Sequence, residues 1–287
     1  MIKSHYSYAQ ITYDYMVEEY IEDDEDSLFF IKSGGGKSLY DEFKRNLITS
    51  FPLEALENPN GENAWLYLTR GQQMALAAFQ SNASIGKPFL VAYDNDFIEV
   101  IGEADDYSTK VEVWLPALYS AIILRNKQAI DFLITIDNSV FAEASLGEQN
   151  RPFDYAFVDL LKAIFTPGAN LASAIEKALV TSNPDDYEDF AYLYASRLDW
   201  PLVDIIMAIF SDEGEHVYNE NMKKSLQLHK EYFDTGKDSR CADRQGAISI
   251  PLTAMAVLAK DVKGYDLTVE NGYIPQWVID GKPVEYK

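Results

Sequence analysis

The 287-residue chain is longer than a usual single domain and carries 24 basic against 46 acidic side chains, a formal net charge of −22. With 47 % hydrophobic and 13 % aromatic residues it has ample material for a dense core, which excludes a disordered chain. The acidic excess repels phosphate backbones and anionic membranes, so it disfavours direct nucleic-acid binding and favours a basic protein partner, although many acidic chains are simply soluble.

The opening stretch, MIKSHYSYAQITYDYM, has no apolar run followed by small residues and does not read as a secretory signal. Residues 5–31 read instead as a helix with Tyr8, Ile11, Tyr15, Tyr20 and Leu28 among its apolar positions, broken by Ser33-Gly34-Gly35-Gly36. A second helix is predicted over 37–57 (Leu39, Phe43, Leu47, Leu56), broken or kinked at Pro52. A third follows the turn Pro59-Asn60-Gly61 and covers 62–81. Residues 86–113 differ: Pro88–Tyr93 and Phe97–Ile101 are β-branched and aromatic runs around Asp94-Asn95-Asp96, the pattern of a hairpin. An acidic loop from Gly102 to Asp106 leads to a helix near Trp114-Leu115-Pro116.

From there helices are predicted over 114–124, 126–136, 153–165, 169–181, 186–198, 201–211, 215–233 and 250–261. Asn183-Pro184-Asp185-Asp186 supplies a helix start, and Tyr265–Glu270 a short strand. The two most apolar stretches, Trp114–Leu124 and Pro201–Phe210, are too short to cross a bilayer. The expected fold class is mainly α: an irregular multi-helix array with a short inserted β-hairpin and no fixed repeat period. The expected regions are helical 1–85, hairpin 86–113 and helical 114–287, with one continuous domain as the alternative.

Catalytic signals are scarce. Cys241 is the single cysteine, so no intrachain disulfide and no multi-thiolate metal site can form. Gly34-Gly35-Gly36-Lys37-Ser38 resembles the end of a phosphate-binding loop, but Ile31 stands where the motif needs its first glycine, and an acidic segment leads in. Glu213-Gly214-Glu215-His216 contains the Glu-x-x-His spacing of di-iron bundles without a second such pair. No nucleophile elbow, zinc helix or EF-hand loop is present, and the chain holds three His. No metal and no cofactor is therefore expected.

The informative feature is how the acids cluster. Glu22, Asp23, Asp24, Glu25 and Asp26 are five consecutive carboxylates; Glu103, Asp105 and Asp106 form a second group, and Asp212, Glu213 and Glu215 a third. A fourth, around residues 185–189, is explained by its place at a helix start. Repulsion within such groups costs stability. Aromatics interleave with them: Tyr20, Phe29, Phe30, Tyr107, Tyr187 and Tyr218. Acids that steer and aromatics that anchor are the make-up of a surface that captures a basic protein. The three groups, with Tyr107 and Tyr218, are the candidate binding residues.

Two further segments carry a family resemblance. One is the Trp-led helix Trp114-Leu115-Pro116-Ala117-Leu118 running to Ile123-Leu124-Arg125. The other is Pro251-Leu252-Thr253-Ala254-Met255-Ala256, followed by a β-like piece and Gly272-Tyr273-Ile274-Pro275-Gln276-Trp277. Together they resemble the Immunity 49 family, helical proteins encoded beside polymorphic bacterial toxins. The resemblance implies a role, neutralising a cognate toxin by occluding it, and implies no functional residue. The expectation is then a cytoplasmic immunity protein without enzymatic activity, its partner a basic toxin acting in the cytoplasm, with a nuclease favoured because nuclease clefts are basic. The alternatives are a helical adaptor that binds some other basic protein, and a carboxylate-based enzyme, which needs buried acids with perturbed acidity.

Overall fold

Helix dominates because apolar side chains recur at three- and four-residue spacing along most of the chain. The computed structural model describes residues 1–6, 26–32, 35–57, 62–104, 108–144, 150–236 and 239–281, and well over half of these are helical. The chain divides into two compact units. The N-terminal unit lies within residues 7–149; the C-terminal unit joins Met1–Tyr6 to Asn150–Gly281.

In the N-terminal unit, residues 26–32 are helical, and helix α1 (35–43) continues through a π-helical stretch, Lys44–Ser50, into α2 (Phe51–Glu57). Then come α3 (Glu62–Ala83), strands β1 (Pro88–Tyr93) and β2 (Asp96–Ile101), α4 (Val111–Ile123), α5 (Lys127–Leu133) and α6 (Asn138–Ala144). The core gathers around Trp114, which is fully buried, donates from Nε1 to the Leu133 carbonyl at 3.0 Å, and meets the Phe141 ring edge-on at 5.9 Å. Phe141 in turn meets Phe79 of α3. Gly71 lets α3 lie directly on the π stretch, since a Cβ there would stand 2.6 Å from Cβ of Leu47.

The C-terminal unit contains α7 (Pro152–Phe165), α8 (Leu171–Thr181), α9 (Asp189–Tyr194), a second π stretch (Ala195–Asp199), α10 (Trp200–Phe210), α11 (Glu215–Phe233), α12 (Ile250–Lys263) and α13 (Gln276–Ile279). Helix α10 buries Leu202, Val203, Ile205, Ile206 and Ile209, an apolar surface on more than one side, as befits a central helix. The first residues of the chain belong here. Ile2 bridges Asn271 in parallel fashion, donating to the Glu270 carbonyl at 2.8 Å and accepting from Gly272 at 3.0 Å. His5 lies against Tyr273, whose hydroxyl is 3.0 Å from Nδ1.

Several predicted elements need correction. Residues 5–6 are not helical, and residues 7–25 of the first predicted helix lie outside the described residues, as do Ser33 and Gly34. Pro52 does not break its helix, and 186–198 and 201–211 are not separate. Asp189 to Phe210 is one helical run, preceded by a short 3-10 turn at Pro184–Asp186. The cause is the same at both sites, where a π stretch stands just upstream of Phe51-Pro52 or Trp200-Pro201. Proline lacks an N–H, and in the α register its ring collides with the carbonyl four residues back; a wider turn moves that carbonyl aside and the helix continues. Helix α6 escaped sequence reading because it is seven residues long and buries only Phe141 and Ala144. Residues 265–270 form no strand: only Asn271 pairs, with Ile2.

Candidate functional site

The hairpin is clamped onto α3 at both ends. At the turn, Arg70 grips Asp94 with two hydrogen bonds, Nε to Oδ1 at 2.7 Å and Nη2 to Oδ2 at 2.9 Å. Its guanidinium also lies 4.8 Å from the centre of the Tyr93 ring. Gln73 exchanges a second pair of bonds with the backbone of Asp94. At the open end Ser81 Oγ accepts from the Glu103 N–H and donates to the Glu103 carbonyl. Gly102 packs against the backbone of Ser84, and a Cβ there would run into that carbonyl. Gly102→Ala is accordingly expected to cost on the order of 2 kcal/mol, because backbone rather than a flexible side chain must give way. A urea midpoint unchanged from wild type would contradict the clamp.

Register decides which side chains face out. Val91 pairs with Ile98 and Phe89 with Val100, and this face turns inward; Leu90 pairs with Glu99, Ala92 with Phe97 and Pro88 with Ile101, and this face turns outward. Leu90 is 57 % exposed, Phe97 57 % and Ile101 53 %.

The predicted binding residues are distributed over both units. Glu22, Asp23, Asp24, Glu25, Asp105, Asp106 and Tyr107 lie outside the described residues. Asp26 is exposed at the near end of helix 26–32, on which Phe29 and Phe30 are also exposed. That helix is anchored by buried Ile31 and by Ser27, which accepts from Arg45; Arg45 also pairs with Glu42 at 2.7 Å. The Glu103 carboxylate lies against Gly35. Glu103 is exposed, with its backbone held by Ser81.

In the C-terminal unit Asp212, Glu213 and Glu215 are all exposed. Glu215 Oε1 accepts from the Asp266 N–H at 2.6 Å, and Asn219 holds the same loop by donating to the Asp266 carbonyl and accepting from Thr268. Beside them lies an open depression of about 420 Å³, lined in part by Glu215, His216, Glu220 and Lys223. Tyr218 is corrected: it is fully buried, tilted against Tyr265 at 5.9 Å, and is a core residue rather than an accessible anchor. His216 faces Glu220 on its own helix at 3.4 Å. Among the described residues no group of three or more His, Cys, Asp or Glu side chains is placed to hold a metal ion.

One acidic site was not foreseen. Asp154 closes the first turn of α7, accepting the Arg151 N–H at 2.7 Å, and poor hydration raises its pKa. Asp199, in the second π stretch, is pushed up to about 8, first by desolvation and then by the charge of Asp154, with Arg151 opposing. Part of residue 199 still reaches solvent, while its carboxyl is poorly hydrated. Arg151 lies over the Tyr187 ring at 4.7 Å, and Tyr187, Phe153 and Tyr192 all meet Trp200 edge-on. The sequence signal was the acid directly before Trp200-Pro201, which helix periodicity alone does not mark as buried.

The segments that carry the family resemblance are structural: Trp114, Leu118, Leu252, Ala254, Met255 and Tyr273 are all buried. Among the described residues no helix is long and apolar enough to cross a membrane. No curated protein and no solved structure matches the chain. A family described as Immunity protein 49 does, over residues 60–278.

Proposed function

The chain belongs to the Immunity protein 49 family, and from that membership we propose that it binds and neutralises a cognate bacterial toxin, itself having no enzymatic activity. The toxin in this reading is a basic, cytoplasm-acting nuclease, and the immunity protein meets it in the cytoplasm of the producing cell. The observation that carries the proposal is family membership in a chain with a net charge of −22. A nuclease cleft is built to hold phosphate, and an acidic surface can occupy it by the same attraction. Carboxylates around the apolar anchors of Leu28, Phe29 and Phe30 fit that role, Asp26 among them. So do Asp212 and Glu213; Glu22–Glu25, Asp105, Asp106 and Tyr107 complete the proposed set, with Glu103 and Glu215 combining it with their structural bonds.

The raised pKa of Asp199 is the one observation that favours the carboxylate-enzyme alternative. Asp154 is already engaged in capping α7, however, which makes a helix-start role sufficient for that partner.

The test is surface-plasmon kinetics against the product of the neighbouring toxin gene, with survival of cells expressing that toxin. Association is expected near ~10⁸ M⁻¹s⁻¹ at low salt, falling steeply as salt rises. Replacing Asp23 and Asp24 by Asn and Ser, or Asp212 and Glu213 by Asn and Gln, should slow association and leave dissociation nearly unchanged. Salt-insensitive binding, with association unaltered by either change, would reduce the charge to a matter of solubility.

A further inference from the structure

A two-stranded antiparallel sheet packed on one face should alternate apolar inward with polar outward. The hairpin does not. Its inward positions Val91, Tyr93, Ile98 and Val100 are buried as expected, yet Leu90, Phe97 and Ile101 project from the opposite face. The register makes these three one stripe. Leu90 stands opposite Glu99, so Phe97 and Ile101 are its two diagonal neighbours, within reach of long side chains. Ile85, also exposed, bridges Gly102 just beyond the end of the hairpin. A carboxylate, Glu99, sits in the middle.

Folding alone would not select such a face. Exposed large apolar side chains on a hairpin invite aggregation, and polar substitutes at these positions would cost the fold little. The rigidity is also notable: Arg70 and Gln73 fix one end of the hairpin to α3, and Ser81 fixes the other. A surface that is fixed before binding loses less entropy on binding.

Resting on the reading of the chain as a toxin inhibitor, we propose that the outward face of the hairpin is a docking surface for the toxin. Leu90, Phe97 and Ile101 form its apolar seat, and Glu99 selects a cation. The partner surface that fits is one whose arginine or lysine side chains lay their apolar stems on the stripe and bring their charge to Glu99. Charge complementarity argues for that occupant over a second copy of the chain. Two molecules each carrying −22 repel, and pairing two such faces would bring two Glu99 carboxylates into one apolar contact.

The double variant Leu90→Ser/Phe97→Ser and the single variant Glu99→Lys test this in the full chain, with the neighbouring-gene toxin as probe. Because these side chains are exposed, melting temperature and helicity should match wild type. The double variant should bind about 30-fold more weakly or worse, through faster dissociation, and Glu99→Lys should both slow association and weaken binding. If wild type binds the toxin and protects cells while both variants do so equally well, the docking surface is overturned and the immunity reading stands. If wild type itself fails to bind, both fall. Sedimentation of the chain alone supplies a third outcome: a dimer that the double variant dissolves would assign the face to self-association and overturn the proposal.

Discussion

Trp114→Ala should remove about 3–5 kcal/mol from the stability of the N-terminal unit. Trp114 is fully buried, so truncation opens a cavity between α4, α5 and α6 that relaxation fills only in part. The same change strips the Leu133 carbonyl of its indole donor, which adds roughly 1 kcal/mol if water does not reach it. Stabilities of single domains are about 5–15 kcal/mol, so the variant should unfold at markedly lower urea and temperature. Trp114→Phe keeps most of the ring contact with Phe141 and should lose about 1–2 kcal/mol. A loss below about 1 kcal/mol for the alanine variant, measured by urea unfolding, would mean that the indole is not the keystone of this core.

The second large effect is a dependence of stability on pH. Burial lowers the pKa of His229 to about 4, from an ordinary 6.5; its ring lies between Phe233 and Tyr273, with Nε2 3.1 Å from the Gly246 carbonyl. The folded state therefore keeps His229 neutral, and the unfolded state takes up a proton first as pH falls from about 6.5 toward 4. Its contribution is complete above 6.5 and is lost on acidification through that window. Asp199 runs the other way. Its folded value of about 8 stands above the ordinary 3.8, so the folded state holds a proton that the unfolded state has released. Stability from Asp199 is complete below about 3.8 and is lost as pH rises to 8.

Between pH 4 and 6.5 the two slopes oppose each other. Above 6.5 Asp199 acts alone, and stability should decline toward pH 8 by up to about 1.4 kcal/mol per pH unit, the limit for one proton. Asp199→Asn should remove this decline and leave the protein more stable than wild type at pH 8. Unfolding curves at half-unit intervals decide it. If the alkaline decline persists undiminished in the variant, Asp199 is ionised in the native protein at neutral pH.

Elements whose period and end signals agree were legible from sequence. Helices at 62–83, 152–165 and 215–233 sit within two residues of their predicted bounds, because apolar spacing and flanking breaks point to the same limits. The hairpin was legible for a similar reason: alternating runs flank Asp94, which takes the left-handed backbone such a tight turn requires (φ 56°). The π stretches were not. A proline read locally says stop, while one extra residue in a turn barely disturbs an apolar period. Tyr218 could have been placed, since Tyr218, Met222, Leu226, His229 and Phe233 form one buried stripe at helical spacing, and the nearby acids outweighed it. Asp199 was beyond reach because the charge of Asp154 that helps raise its pKa comes from α7, distant in sequence. The outward apolar face of the hairpin was written in the alternation, but which face turned inward depended on α3.

The bridge between Ile2 and Asn271 sets a condition on biosynthesis. Residues 1–6 are synthesised well before their partners, which lie far downstream in the sequence. At about 5–20 residues per second the first residues wait on the order of ten seconds to a minute for Asn271, Gly272 and Tyr273. The N-terminal unit has everything it needs long before then, so it can fold while translation continues. The C-terminal unit can close only after Tyr273 has emerged. A fragment begun at Asn150 would therefore lack a native piece of its own unit, with the Glu270 carbonyl and the Gly272 N–H deprived of their Ile2 partners.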